Sequence, residues 1–135
     1  MNQSFWLAFL AYLLPTFPLG YFWHLKTFRV QYEQLEMYRA DVIIPLGLAT
    51  MVVQGLAFAW IYPRLFSTAR GDWIASAGGF AALFGLLAWS FTTLPVAAKY
   101  RMTSVSSFMA LESAFTVLQF LVVAPLIALA WRDRA

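Results

Sequence analysis

The sequence contains no cysteine. Disulfides, thiolate metal sites and cysteine nucleophiles are therefore excluded. Charge is scarce as well: 11% of residues are Asp, Glu, Lys or Arg, against about 25% in ordinary soluble domains. So few charges cannot solvate the whole surface of a water-soluble fold of this length. Histidine occurs once, as His24. One histidine falls short of the three or four protein ligands of a usual zinc site, and a haem held by two histidines of one chain is ruled out.

The charges that exist are confined to gaps. Residues 1–25, 42–63 and 73–98 contain none, and 102–131 contain only Glu112. A helix needs about 20 mostly apolar residues to cross a ~30 Å hydrocarbon core, and all four stretches reach that length. The expected fold is all-α: an integral membrane four-helix bundle in one domain, with spans at about 4–25, 42–62, 73–94 and 104–131. Residues 1–4 carry no positive charge and no small-residue cleavage site follows, so the first segment reads as a retained helix rather than a signal peptide.

Proline and glycine punctuate these spans. Pro15 and Pro18 remove backbone donors and predict a kink or local unwinding in the first span. Pro45 suits the first turn of the second span, Asp41 is a candidate cap for it, and Pro63 marks its end. Pro95 is expected to close the third span. The short gap 63–72 predicts that spans 2 and 3 are antiparallel neighbours. Gly78, Ala82 and Gly85 place small residues on one face of span 3, where close helix packing is expected.

The connector 26–41 is the longest polar segment. Leu25, Phe28, Tyr32, Leu35 and Tyr38 recur at helical steps, with Lys26, Arg29, Glu33, Glu36 and Arg39 opposite. This pattern predicts an amphipathic interfacial helix with Arg29–Glu33 and Glu36–Arg39 pairs. Trp6, Trp23, Tyr62, Trp73, Tyr100 and Trp131 fall near span ends, as an interfacial aromatic belt would. Orientation is weakly encoded. Arg64, Arg70, Arg132 and Arg134 lie on one side, and Lys26, Arg29, Arg39, Lys99 and Arg101 on the other. The small excess favours loops 1 and 3 in the cytoplasm.

Glu112 is the residue that stands out. An acid inside a span is costly and usually faces the bundle interior. Thr116 and Gln119 follow it on the same helical face. His24, Lys99 and Arg101 are its expected partners, since all lie toward the same end. Gln54, in mid span 2, joins Thr50 and Tyr62 on one face. Ser90 and Thr93 share a face of span 3. These polar groups form a candidate intramembrane site: Glu112, Thr116, Gln119, Gln54 and His24. Trp89 is expected to pack inside, and Ser104 to cap span 4. No nucleophile–base pair, phosphate loop or catalytic carboxylate pair is present, so no catalytic residue, metal site or cofactor is expected.

The layout resembles that of small bacterial four-span membrane proteins described only as domains of unknown function. The likeness rests on Gly20-Tyr21-Phe22-Trp23 ending span 1, glycines opening span 3 and a Trp closing span 4. It implies a multi-pass protein of the bacterial cytoplasmic membrane and no particular activity. In size and span count the chain is also similar to small multidrug exporters. Their essential glutamate lies in the first helix, whereas this chain carries its acid in the fourth.

Three functions follow as expectations. The first is a non-enzymatic membrane protein acting through helix packing, as a homo-oligomer or an accessory subunit among other membrane subunits. It rests on 19% aromatic residues and on the little room for a polar pathway inside short spans. The second is a small proton- or cation-coupled transporter or channel using Glu112. The third is a lipid- or pigment-binding protein. Membrane lipid is the expected surrounding in every case, and nucleic acid is not an expected partner, because no basic stripe with stacking aromatics stands outside the apolar runs.

Overall fold

A computed structural model describes residues 2–133. Among them the chain is all-helical, without strands. Four helical stretches are long and apolar enough to cross a membrane: Gln3–Thr27, Ile44–Leu65, Trp73–Lys99 and Val105–Trp131. Arg134, counted above toward orientation, lies outside the described residues.

The first stretch comprises α1 (Gln3–Phe22) and a π-helical turn at Trp23–Thr27. Asn2 caps α1 by accepting a hydrogen bond from the Phe5 amide, which satisfies one of the free donors at a helix start. The α-helical assignment continues across Pro15 and Pro18, and the departure from α geometry comes after Gly20. There the Phe28 amide reaches back to the Trp23 carbonyl, the wide repeat of a π turn.

The connector is less helical than its pattern predicts. Only α2 (Arg29–Gln34) forms, and Glu36 then takes a positive φ of 55°. That left-handed residue ends the helix in the position where glycine is usual. Arg29 and Glu33 pair one turn apart as expected. Arg39 pairs with Asp41 instead of Glu36, because the helix has already ended. Asp41 is thereby engaged, and Ile43 occupies the cap position of α3 (Ile44–Leu65) without a side-chain cap. α3 also runs past Pro63 to Leu65 and stops where Phe66 becomes extended.

The third stretch does not close at Pro95. It consists of α4 (Trp73–Ala88), a π turn at Trp89–Thr93 and α5 (Leu94–Lys99). Pro95 falls in the first turn of α5, where a missing donor does little harm. The fourth stretch is α6 (Val105–Trp131), with Ser104 capping it through the Ser107 amide.

The second and third stretches are neighbours through their side chains rather than through close backbone packing. α1 packs against α3 and α6, and α4 packs against α6, whereas the backbones of α3 and α4 scarcely approach one another. The spatial order is thus α3–α1–α6–α4. Large rings explain the gap. Phe58 and Tyr62 of α3, with Phe66 just beyond it, meet Phe80 and Phe84 of α4 at ring-centroid distances of 5.1–5.9 Å. Side chains of this size bridge the two helices at one end and hold their axes apart. Tyr62, read from the sequence as a belt residue, is wholly buried in this cluster.

The close helix contacts lie elsewhere than on Gly78. Ala8, Ala59 and Ala124 are buried to within 1% and let α1, α3 and α6 approach. At Gly55 a Cβ would meet Phe9 and Tyr12 of α1 at 3.0–3.1 Å. Gly78 faces open space, and Gly85 meets only the Phe120 ring at 3.5 Å. The packed face of α4 carries Ala77 and Phe80, while Gly78 and Ala82 turn outward. Seven-residue spacing picked one face of span 3; ring-filling side chains on another face made the contact.

Candidate functional site

A cavity of about 670 Å³ is walled by α1, α3, α6 and the connector, with Ala88 of α4 and Thr92 of the following π turn at its edge. Its size falls in the usual range of ligand pockets, roughly 300–1,000 Å³. Phe17, Met51, Phe58, Phe115 and Phe120 contribute apolar wall, and residues 37–39 and 42–44 of the connector border one end. The opposite end is closed by the aromatic cluster. Aromatic bulk at one end of the bundle thus accompanies open space at the other.

Two polar stations punctuate the wall. At the connector end, His24 Nε2 lies 3.0 Å from Glu112 Oε1. The Tyr32 hydroxyl donates to the same oxygen at 2.6 Å and accepts from Trp23 Nε1 at 3.2 Å. His24 Nδ1 lies 2.9 Å from the Gly20 carbonyl. A carbonyl only accepts, so Nδ1 carries a proton. Nε2 is then the nitrogen that faces the Glu112 carboxyl group. The π turn at Trp23–Thr27 is what brings His24 to this position.

The connector seals this station. Tyr32 and Leu35 are buried against Phe108, with Trp23, Phe28 and Leu111 packed around them. The Thr103 amide donates to the Leu35 carbonyl and its hydroxyl to the Gln34 carbonyl, at 3.2 and 2.6 Å, tying the connector to the loop before α6. Burial pushes the Tyr32 phenol well above the ordinary tyrosine value, and the neighbouring Glu112 raises it further. Tyr38 moves the same way for the same two reasons. Both phenols stay protonated at neutral pH.

The second station lies at mid-depth. The Tyr12 hydroxyl donates to Gln54 Oε1 at 2.7 Å and accepts from Gln119 Nε2 at 3.2 Å, joining α1, α3 and α6. Thr16, one turn beyond Tyr12, is 1% exposed and lines the cavity. Among the described residues its hydroxyl has no hydrogen-bond partner.

The structure therefore joins Glu112 to His24, and Gln54 to Gln119 through Tyr12. Thr116 lines the same cavity but donates to the Glu112 carbonyl of its own helix at 2.9 Å. Lys99 and Arg101 do not reach Glu112. Both are exposed, Lys99 lies over the Tyr100 ring, and His24 and Tyr32 already occupy the carboxyl oxygen. Trp89 donates to Ser113 of α6 at 2.9 Å. Ala82 and Gly85 border an apolar groove between α4 and α6, which shares Thr116 and Phe120 with the main cavity. Among the described residues no three His, Asp or Glu side chains converge as a metal cage would require.

Comparison with protein-family models, with curated proteins and with solved structures finds no match for this chain. The site therefore stands on its own geometry.

Sequence reasoning missed Tyr12, Thr16 and Tyr32. A signal was present for the first two: Tyr12, Thr16, Gly20 and His24 recur every four residues, a polar and small stripe on an otherwise apolar helix. Tyr32 was visible only as one member of an aromatic face, since nothing local marks its hydroxyl as a partner for an acid 80 residues later.

Proposed function

We propose that this chain is a multi-pass membrane protein that binds an apolar, chain-like or ring-bearing molecule taken from the surrounding bilayer. The observation that carries the reading is the 670 Å³ cavity walled by α1, α3, α6 and the connector. Its wall is mainly apolar, and α3 and α4 do not close on each other beside it. A bundle that served only as packing surface would gain by filling that space, since protein interiors are otherwise close-packed. Molecules dissolved in the bilayer would reach the cavity sideways, through the α3–α4 gap, without crossing water.

The test is photolabelling. The protein is reconstituted in phosphatidylcholine nanodiscs with a diazirine-bearing dodecane. Saturable labelling of Phe17, Met51 or Phe115, lost when Gly47→Trp or Thr50→Trp narrows the cavity, supports the reading. Labelling that is unsaturable and spread over outward residues such as Leu14, Val53 and Leu121 overturns it.

A second reading is favoured by one observation, the 3.0 Å contact between His24 and Glu112 inside the apolar stretches. Such a pair suits a proton-coupled carrier. A pH-gradient-driven flux in liposomes that vanishes in Glu112→Gln would move the assignment to that class.

A further inference from the structure

The mid-depth station gives the cavity a chemical preference. Tyr12, Gln54, Gln119 and Thr16 are all neutral, and each lies within about one turn of the middle of its long helix. Tyr12 uses Gln54 Oε1 and Gln119 Nε2. Among the described residues this leaves the Gln54 amide nitrogen, the Gln119 amide oxygen and the Thr16 hydroxyl without protein partners. Thr16 is the most telling, because its hydroxyl is buried, unpartnered and at the cavity wall. Buried polar groups are nearly always hydrogen-bonded, and of the four buried side-chain atoms without a partner among the described residues (on Thr16, Tyr62, Thr93 and Trp131), only that of Thr16 lines the cavity.

We infer that the cavity selects a neutral amphiphile with a hydroxyl group, seated against Gln54, Gln119 and Thr16. A hydroxyl both donates and accepts, which matches the mixture of donors and acceptors left open. A charged head would have to enter apolar surroundings with no counter-charge at this depth, which is costly. The nearest ionisable groups, His24 and Glu112, are already engaged with each other and with Tyr32. Glu112 lies seven residues back along α6, roughly 10 Å at 1.5 Å per residue. The carboxyl group therefore lies toward the connector end, and the neutral amides and hydroxyls read the part of the molecule at mid-depth.

This inference rests on the cavity being a binding site, and the experiment separates the two. Dodecane, 1-dodecanol, dodecylamine and dodecanoate compete, at equal mole fractions in the lipid, against the diazirine-bearing dodecane in phosphatidylcholine nanodiscs. If the probe itself does not label the cavity saturably, the binding reading fails and the inference with it. If it does, 1-dodecanol is expected to compete about five- to tenfold better than dodecane, as one net hydrogen bond would give, and better than either charged chain. Gln54→Leu and Gln119→Leu are expected to erase that preference while dodecane still competes. Thr16→Val, nearly isosteric, serves where either glutamine variant fails to fold and is expected to reduce the preference. Equal competition by dodecane and 1-dodecanol in the unaltered protein overturns the inference. So does tighter binding of a charged chain, or a preference that survives every variant that folds.

Discussion

His24 and Glu112, 88 residues apart in sequence, meet at 3.0 Å with Tyr32 donating to the same carboxyl oxygen. The contact spans α1's π turn, α6 and the connector, so its parts can be removed one at a time. Glu112→Gln keeps an acceptor for Tyr32. Glu112→Leu leaves the Tyr32 hydroxyl and the His24 nitrogen facing apolar surroundings, and an unsatisfied buried group costs about 1–3 kcal/mol. Thermal melts in mild detergent should place Glu112→Leu well below Glu112→Gln. Equal melting of the two would mean the carboxyl oxygen carries no structural role.

Tyr32 should govern how firmly the connector is held. Tyr32→Phe keeps the ring in its pocket with Leu35 and Phe108 but removes the bond to Glu112. Hydrogen exchange over 35–43 should quicken, while exchange in α6 changes little. The pH dependence follows from the raised phenol. A folded-state value above the unfolded value of about 10 means the stabilising contribution is complete below pH 10. It is lost as pH rises beyond that, when the unfolded chain ionises first. Wild type should therefore lose stability faster than Tyr32→Phe between about pH 10 and 11, with the two curves parallel from pH 7 to 9.

The four long apolar stretches were legible because hydropathy over 20 residues needs no knowledge of neighbours. The boundaries at Pro63 and Pro95 were not. A proline stops a helix only where nothing else satisfies the freed carbonyl, and in α4–α5 a π turn absorbs the irregularity ahead of Pro95. The neighbour order was hidden for a different reason. Loop length says which helices can touch, whereas the Phe58–Phe80–Phe84 rings decide how far apart they stay. Of the candidate site, Glu112, His24, Gln54 and Gln119 could be chosen because polar residues in apolar runs are conspicuous singly. Their division into two stations depends on Tyr12 and Tyr32, amphipathic rings that look like ordinary core or belt residues in one dimension.

Gly55 and Gly78 should respond oppositely to the same change. At Gly55 an added methyl meets Phe9 and Tyr12 at 3.0–3.1 Å, and overpacking of this kind costs about 1–3 kcal/mol. Gly78 is helical and faces open space, so alanine there should raise stability by about 0.5–1 kcal/mol through backbone entropy. Gly55→Ala should lower the melting temperature and Gly78→Ala raise it. A drop for Gly78→Ala would reveal a close neighbour on that outward face, as a second copy of the chain would supply.

Thr93 sits in the second π turn, 1% exposed and, among the described residues, without a partner for its hydroxyl. Its neighbours find one: Ser90 donates to the Leu87 carbonyl and Thr92 to the Ala88 carbonyl, at 3.0 and 2.7 Å. Back-bonding to the preceding turn is the usual outlet for such residues, and Thr93 alone does not use it. Thr93→Val keeps the shape of the side chain and removes the unsatisfied group, which should stabilise the fold by about 1 kcal/mol, with up to about 3 as the upper bound for a fully desolvated hydroxyl. Chemical or thermal unfolding of the reconstituted protein measures this directly. If Thr93→Val instead melts lower, the hydroxyl is bonded to a group supplied from outside the chain, and the π turn would join the cavity as a place where this bundle meets its ligand.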